Sequence, residues 1–288
     1  MKQQVTIVEV GPRDGLQNEP DPVATGDKIT LINLLAQSGL RRIEATSFVN
    51  PRWVPQLGDA GDVMAGIERP QGVSFAALVP NAMGAEAALQ HRVDEIAVFA
   101  AASDAFSQKN INCSIDESFE RFAPVVAQAR AHNVSVRGYV STIVDCPYSG
   151  PVRPEQVVDV VQRLFDLGCG EVSLGDTLGH ATPDQVKALL DHLLGRFPPQ
   201  DLAGHFHDTS GRALDNIRVS LDAGLRIFDA SVAGLGGCPY APGAKGNIAT
   251  EAVCDLMQEL GYETGIDPMK LAQASTFART LTAQSRIT

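Results

Sequence analysis

Short runs of β-branched and apolar residues alternate with longer helical patterns along almost the whole of this 288-residue chain. Eight of these runs predict strands, and they fall at residues 5–10, 42–47, 73–79, 95–100, 135–142, 171–174, 202–207 and 227–232. Strands that alternate with helices are typical of α/β proteins, and eight strands is the number that closes a (β/α)8 barrel. We therefore predict a TIM barrel.

The pattern gives no sign of a second domain. An open doubly wound sheet is the alternative architecture, but the first strand is not followed by the Gly-x-Gly-x-x-Gly sequence of a dinucleotide site. Residues 265–288, beyond the last barrel helix, have the pattern of one extra helix. We predict a single catalytic domain over residues 1–288, in which this C-terminal helical segment packs on the barrel.

Composition argues against several classes of partner. A formal net charge of -11 opposes nonspecific binding to nucleic acid or to an anionic membrane. No apolar run approaches the roughly 20 residues that span a bilayer, and five scattered cysteines without a Cys-x-x-Cys pair suit reduced thiols. The chain begins without a signal or presequence pattern. We expect a cytoplasmic protein, in which an anionic substrate would need a local basic site.

Two histidines stand near the end of the seventh predicted strand, in Leu202-Ala-Gly-His-Phe-His-Asp-Thr209. Because strand side chains alternate between the two faces, His205 and His207 should point the same way. Such a pair can hold a metal ion from one side, although two packed, hydrogen-bonded histidines would give the same pattern. The active sites of TIM barrels lie at the carboxyl ends of the strands, which favours the functional interpretation.

The first two strands supply an arginine and two acids. Arg13 and Asp14 follow the first strand in Val10-Gly-Pro-Arg-Asp-Gly-Leu-Gln-Asn18, and Glu44 lies inside the apolar second strand. A buried carboxylate is costly unless it is paired, and Arg13 is the obvious partner because the two strands are neighbours. The pair could orient the guanidinium toward a substrate. A structural ion pair and an ordinary turn remain the alternatives.

A glycine-rich loop follows the eighth strand, in Val232-Ala-Gly-Leu-Gly-Gly-Cys-Pro-Tyr-Ala-Pro-Gly-Ala-Lys-Gly-Asn247. A loop of this composition could close over a substrate and bring Cys238 to the mouth of the barrel. A structural turn with an incidental thiol is the alternative. Asn247 precedes the last barrel helix and could be only its cap.

Four of these residues form a candidate metal site. Asp14, His205, His207 and Asn247 come from strands 1, 7 and 8, which become neighbours when the barrel closes. Their mixture of nitrogen and oxygen donors suits a divalent cation, and it does not separate magnesium, manganese and zinc.

Four motifs together resemble those of the 3-hydroxy-3-methylglutaryl-CoA lyases, within a wider group of metal-dependent barrel lyases and synthases. The motifs are Gly11-Pro-Arg-Asp-Gly-Leu-Gln-Asn18, Ser173-Leu-Gly-Asp-Thr177, His205-Phe-His-Asp-Thr209 and Ala233-Gly-Leu-Gly-Gly-Cys-Pro-Tyr240. The similarity extends from Val5 to Leu271. The cysteine loop is its specific part, because Arg13, Asp14 and Glu44 alone would indicate only the wider group.

The resemblance implies cleavage of 3-hydroxy-3-methylglutaryl-CoA to acetoacetate and acetyl-CoA. It assigns Mg²⁺ or Mn²⁺ to Asp14, His205, His207 and Asn247. Either Asp14 or His205 would then remove the proton of the tertiary hydroxyl. Arg13, held by Glu44, would stabilise the enolate of acetyl-CoA. Cys238 would protonate the carbon of that enolate.

The remaining assignments are weaker. Asp176 and Gln17 are expected beside the substrate or behind the ligands, and Asp208 is expected to orient a neighbour or cap the next helix. Arg52, Lys109 and Lys245 are candidates for CoA contacts by their charge and their closeness to strand ends. A role in leucine breakdown follows only from the family, and association into a homo-oligomer is left open.

Two other functions remain as alternatives. A related synthase would use the same metal set to condense an acyl-CoA with a 2-oxo acid, but this chain ends soon after its barrel and carries the Gly-Gly-Cys-Pro-Tyr run. A non-catalytic barrel that binds a metal or an acyl-CoA would leave Cys238 and the pairing of Arg13 with Glu44 without an evident use.

Overall fold

The computed structural model describes residues 3–236 and 246–282. Eight parallel strands close into a barrel, which confirms the predicted (β/α)8 fold. The barrel strands are β1 (Thr6–Glu9), β2 (Arg42–Ser47), β3 (Ser74–Leu78), β4 (Glu95–Ala101), β5 (Ser135–Ser141), β8 (Glu171–Asp176), β9 (Leu202–Phe206) and β10 (Ile227–Ala230). Their order around the barrel is β1-β10-β9-β8-β5-β4-β3-β2. A small antiparallel hairpin of β6 (Asp145–Cys146) and β7 (Gly150–Pro151) follows β5.

Helices surround the barrel on the outside. They are α1 (Thr25–Gln37), α2 (Ala60–Gly66), α3 (Ala82–Gln90), α4 (Asp104–Ile111), α5 (Ile115–Ala131), α6 (Pro154–Leu167), α7 (Pro183–Leu193), α8 (Ala213–Asp222), α9 (Thr250–Glu259) and α10 (Pro268–Thr280). Their buried faces pack on the strands and form the main apolar core. Among the described residues, none of these helices combines the length and the apolar composition that a bilayer span requires.

The predicted C-terminal helix is present as α10. Asp267 begins it by accepting hydrogen bonds from the backbone N–H groups of Met269 and Lys270. The helix packs against α1, α9 and the short turn Val232–Gly234, so it covers the outside of the barrel where the first and last units meet. The limits of the domain stay a prediction. The four cysteines within the described residues are free thiols.

The interior of the barrel is divided by chemistry. Leu78, Ala97, Phe99 and Tyr139 form a small apolar cluster on β3, β4 and β5, separate from the main core. Buried ionisable side chains that include Glu44, Arg137, His205 and Asp229 occupy the remaining interior. Burying charge is unfavourable unless it is paired, so this part of the barrel interior depends on ion pairs.

A single π-helical turn, Gly11–Gly15, leaves the end of β1 and carries Arg13 and Asp14. Its glycines are required by close packing rather than by a left-handed backbone. A Cβ atom on Gly15 would lie 2.7 Å from Leu235 Cβ and 2.8 Å from Ser231 Oγ, both beyond β10. The absence of a side chain therefore lets the turn after β1 touch the turn after β10.

Replacing Gly15 with alanine should destabilise the fold by about 1–3 kcal/mol, because overpacking forces neighbouring atoms to shift. The matched control is Gly26→Ala in α1, where a Cβ would meet nothing within 4 Å. There the substitution should be neutral or slightly stabilising. Denaturant unfolding of both variants checks this, and equal stabilities would contradict the packing account.

Candidate active site

The two histidines meet at the carboxyl end of β9. His205 lies within the strand and His207 follows it directly, and their ring centroids are 5.4 Å apart. Both side chains are nearly buried. The alternation of strand side chains that predicted this arrangement holds here.

The turn after β1 brings an acid to these rings. One ligand atom each from Asp14, His205 and His207 can be chosen so that all three lie within 4.8 Å of one another. Asn247 completes the group, because its Nδ2 donates to Asp14 Oδ2 at 2.8 Å. Asn247 is not the cap of the last barrel helix, since α9 begins at Thr250 and Ala249 occupies its N-cap.

The protonation states of this group fit a metal ion. Burial and the neighbouring His205 lower the pKa of His207 to about 4, so its ring is neutral near pH 7. Burial opposes ionisation of Asp14, but the Arg13 charge and the histidines outweigh it and lower its pKa to about 2. His207 Nδ1 is buried and has no hydrogen-bond partner among the described residues. A neutral imidazole with an unused nitrogen beside an ionised carboxylate is a suitable donor set.

Arg13 is fixed by two carboxylates. Its Nε and NH2 groups both lie 2.7 Å from Glu44 Oε2, and its NH1 donates to Asp14 Oδ1 at 2.5 Å. Arg13 and Glu44 are both almost fully buried. The structure therefore places the paired arginine beside the candidate metal group, and the guanidinium also lines the cavity at the mouth.

Further charged residues stand behind the site, and the sequence analysis did not assign them. Asp229 Oδ2 lies 3.1 Å from His205 Nδ1, and Arg137 NH2 donates to Asp229 Oδ1 at 2.7 Å. Tyr139, which had no assigned role, donates from its hydroxyl to Glu44 Oε2 at 3.3 Å. Arg137 and Asp229 are charged residues inside apolar strands, which is the same signal that had identified Glu44.

Glu9, at the end of β1, is another buried acid that the sequence analysis missed. Its carboxylate accepts hydrogen bonds from the backbone N–H groups of Gly11 and Val232 and from the hydroxyl of Thr250. It therefore joins the turn after β1, the turn after β10 and the start of α9. Burial dominates its titration and raises its pKa to about 7.

A cavity of about 490 Å³ opens at this end of the barrel. Its polar wall contains Arg13, Asp14, Gln17, His205, His207 and Asn247. Its apolar wall contains Leu78, Phe99, Phe106, Ile111, Phe122 and Tyr139. Volumes of this size are typical of small-molecule sites, and the two walls would sort a ligand by polarity.

Other predicted residues lie elsewhere or in undescribed parts of the chain. Asp176 is buried, and its carboxylate accepts hydrogen bonds from the backbone N–H groups of His180 and Ala181. Asp208 accepts a hydrogen bond from the N–H of Ala213, at the start of α8. Arg52 and Lys109, two of the cations proposed for CoA, are exposed and are not among the residues that line the cavity, whereas Arg121 is. Cys238 and Lys245 lie outside the described residues.

Comparisons with known proteins agree with this geometry. A family model described as HMGL-like matches residues 4–278. The hydroxymethylglutaryl-CoA lyase of Pseudomonas mevalonii is 54% identical over 94% of this chain and 90% of its own. A lyase of Pseudomonas aeruginosa, named for 3-hydroxy-3-isohexenylglutaryl-CoA and hydroxymethylglutaryl-CoA, is also 54% identical, over 95% of this chain and 91% of its own.

Solved structures give the same result. The HMG-CoA lyase of Brucella melitensis superposes with a TM-score of 0.96 at 58% identity, covering 97% of this chain and 99% of its own.

Replacing Glu9 with glutamine should change how stability depends on pH. Wild-type Glu9 keeps its proton up to a pKa of about 7, whereas the unfolded chain releases it near 4.5. Rising pH between these values therefore favours the unfolded state, by about 3 kcal/mol in total at 1.36 kcal/mol per unit.

The variant lacks this loss, so it should gain stability relative to wild type as the pH increases from 5 to 8. Denaturant unfolding across this range measures the difference. A difference that stays constant with pH would show that Glu9 does not titrate in this way.

Proposed function

The chain belongs to the HMGL-like family, and from that premise we propose that it cleaves 3-hydroxy-3-methylglutaryl-CoA to acetoacetate and acetyl-CoA. One observation carries the proposal at the level of the site. Asp14 and the His205–His207 pair share a cavity with an arginine that two carboxylates hold in place. This combination offers a cation site and a fixed positive charge to a substrate that has a hydroxyl, a carboxylate and a thioester.

We propose that Asp14, His205, His207 and Asn247 hold the divalent cation, with Mg²⁺ or Mn²⁺ as the expected metal. Carboxylate, amide and imidazole donors in a site that keeps open positions suit these ions. When bound, the cation supplies a positive charge that lowers the pKa of the substrate's tertiary hydroxyl.

Asp14 is the base that we propose for the hydroxyl proton. Its two oxygens each accept one hydrogen bond, from Arg13 and from Asn247, and each keeps a second lone pair, one for the cation and one for the proton. The Nδ1 of His205 faces Asp229, which orients the ring and leaves Nε2 as the nitrogen for the cation. Loss of the proton turns the C3 oxygen into the carbonyl of acetoacetate as the bond between C2 and C3 breaks.

The electron pair of the broken bond passes to C2 and forms the enolate of acetyl-CoA. We propose that Arg13 stabilises the enolate oxygen, because its guanidinium lines the cavity and Glu44 prevents it from turning away. A proton delivered to C2 then completes acetyl-CoA. Cys238 is proposed as its donor, and it would come from the glycine-rich loop.

The CoA portion needs a place beyond the cavity, since an acyl-CoA is much larger than a ligand that 490 Å³ encloses. The structure of an HMG-CoA lyase from Acinetobacter baumannii contains coenzyme A and 3-methylmalate, at a TM-score of 0.92, 39% identity and coverage of 96% of this chain and 91% of its own. We propose that the rim near Trp53, Asn110 and Arg121 faces the CoA moiety here. A cytoplasmic location and a role in leucine breakdown stay predictions.

Protein stripped of metal and reloaded with Mg²⁺ or Mn²⁺ should release acetoacetate from 3-hydroxy-3-methylglutaryl-CoA. His205→Ala and Cys238→Ala should each lower kcat by at least about 100-fold, because the first removes a proposed metal ligand and the second removes the proposed proton donor. The matched control is His192→Ala on the outer helix α7, which should keep full activity.

Absence of acetoacetate with either metal would refute the proposed reaction. Release of free CoA from acetyl-CoA and a 2-oxo acid would instead identify a condensing synthase. Binding of metal or acyl-CoA without any turnover would identify a non-catalytic barrel.

The apolar wall favours a second substrate with a larger group at C3. Leu78, Phe99 and Tyr139 line the cavity with an apolar surface larger than a methyl group, so a longer alkyl chain at C3 would find apolar contacts there. One of the relatives described above is named for the isohexenyl compound. We propose that the isohexenyl analogue is also cleaved, with its chain against this wall.

Leu78→Phe should lower kcat/KM for the isohexenyl substrate at least about tenfold more than for the methyl substrate, because added volume in an apolar pocket discriminates by that order. Leu260→Phe, at an exposed position after α9, is the control and should leave the ratio unchanged. An equal loss for both substrates would place the CoA arm, not the C3 substituent, against Leu78.

A further inference from the structure

Arg137 stands at the centre of the charged interior of the barrel. It lies in β5, is 1% exposed and ranks among the largest fully buried side chains. Each of its nitrogens has a different partner: Nε donates to Glu171 Oε1 at 2.5 Å, NH1 to the Tyr139 hydroxyl at 2.8 Å and NH2 to Asp229 Oδ1 at 2.7 Å. One guanidinium therefore donates to three side chains, which lie on β8, β5 and β10.

The Asp229 contact leads to the metal group. The two carboxylate oxygens of Asp229 have different partners. Oδ1 accepts a hydrogen bond from Arg137, whereas Oδ2 lies 2.7 Å from the Ser173 hydroxyl and 3.1 Å from His205 Nδ1. A carboxylate behind a metal-binding histidine fixes the ring orientation. Arg137 therefore fixes the group that orients His205.

The Tyr139 contact leads to the proposed enolate site. The Tyr139 hydroxyl receives a hydrogen bond from Arg137 and donates one to Glu44 Oε2, the same oxygen that accepts from Arg13 Nε. The position of Glu44 therefore also depends on Arg137, and the position of Arg13 depends on it through Glu44.

A third contact holds Arg137 from the amino-terminal end of the barrel. Glu171 Oε1 accepts from Arg137, while Glu171 Oε2 accepts from Arg42 NH1 at 2.8 Å. Arg42 also contacts Glu95, and its side chain is partly exposed. The network of hydrogen bonds therefore extends from the amino-terminal end of the barrel to the cavity, and it branches at Arg137.

We propose that Arg137 is a positioning residue that keeps His205 and Arg13 in one geometry. The expected changes in kcat rest on the proposed lyase function, whereas the positioning of His205 and Arg13 does not. The planar guanidinium suits the role, because its donors point in fixed directions and a lysine ammonium cannot reproduce three such contacts. Arg137 touches neither the candidate metal donors nor Arg13 directly, so its effect passes through Asp229 and Tyr139.

The test compares Arg137→Lys with the matched variant Arg42→Lys, at the outer end of the same network. Arg137→Lys should lower kcat by about 10–100-fold, the range for loss of groups that orient metal ligands, with KM changed much less. Arg42→Lys should leave kcat within about threefold, because Glu171 and Arg137 keep their contact. Equal effects on kcat in the two variants would overturn the proposal.

A second measurement does not depend on turnover. Titration with Mn²⁺ should show an affinity about tenfold lower for Arg137→Lys and for Asp229→Asn, and a smaller loss for Tyr139→Phe, which reaches the metal donors only through Glu44, Arg13 and Asp14. Unaltered Mn²⁺ affinity in Arg137→Lys and Asp229→Asn would overturn the proposal even if the proposed reaction fails.

A third measurement separates positioning from simple support of the fold. In the wild-type background, the kcat losses of Asp229→Asn and Tyr139→Phe should be non-additive, because both branches depend on one guanidinium. In the Arg137→Lys background the two losses should become nearly additive. Additive losses in both backgrounds, or losses that follow only the unfolding free energy, would identify a structural role.

Discussion

The ion pair between Arg137 and Asp229 is the interaction on which the barrel interior depends. Both side chains are almost completely buried, and either charge alone would be strongly unfavourable there. Burial opposes ionisation of Asp229, but the Arg137 charge and the His205 contact lower its pKa below the usual range. Because Asp229 stays ionised, it can orient His205 at the mouth. The stability of the interior and the geometry of the site therefore have the same physical origin.

Sorting of the interior by polarity explains how a closed barrel can serve a substrate with mixed chemistry. Apolar side chains from β3, β4 and β5 share the interior with paired charges and histidines, which come from β2, β5, β9 and β10. Among the charged residues, a hydroxyl can form hydrogen bonds and a carboxylate can pair with a cation. Among the apolar residues, an alkyl group can be buried without leaving a polar group unpaired. The turns after β1 and β10 meet above the polar side, where Glu9 and the missing side chain of Gly15 permit close contact.

Much of the site could be predicted from the sequence, for reasons that particular residues make clear. Period-two alternation placed His205 and His207 together, and a charge inside an apolar strand identified Glu44. The same signal was present in Arg137, Asp229 and Glu9, but most of their partners lie far away in the chain, so the sequence could not say what each charge would meet. Asn247 and Asp176 show the limit. The sequence predicted Asn247 beside Asp14 but left a helix cap as the alternative, and only the structure shows its amide on Asp14, whereas Asp176, expected beside the substrate or behind the ligands, binds the backbone of its own turn.

By itself, the sequence determined the order and type of the elements, because hydrophobic periodicity and helix-capping residues act over a few neighbouring positions. It also determined which residues end at the mouth, since parallel strands in a closed barrel all present their carboxyl ends to one side. Only the tertiary structure decided the pairing of the buried charges. Arg137 meets Glu171 of β8 and Asp229 of β10 because strand tilt and register bring these inward side chains within hydrogen-bond distance. Such distances depend on the closure of the whole barrel, which no local pattern encodes.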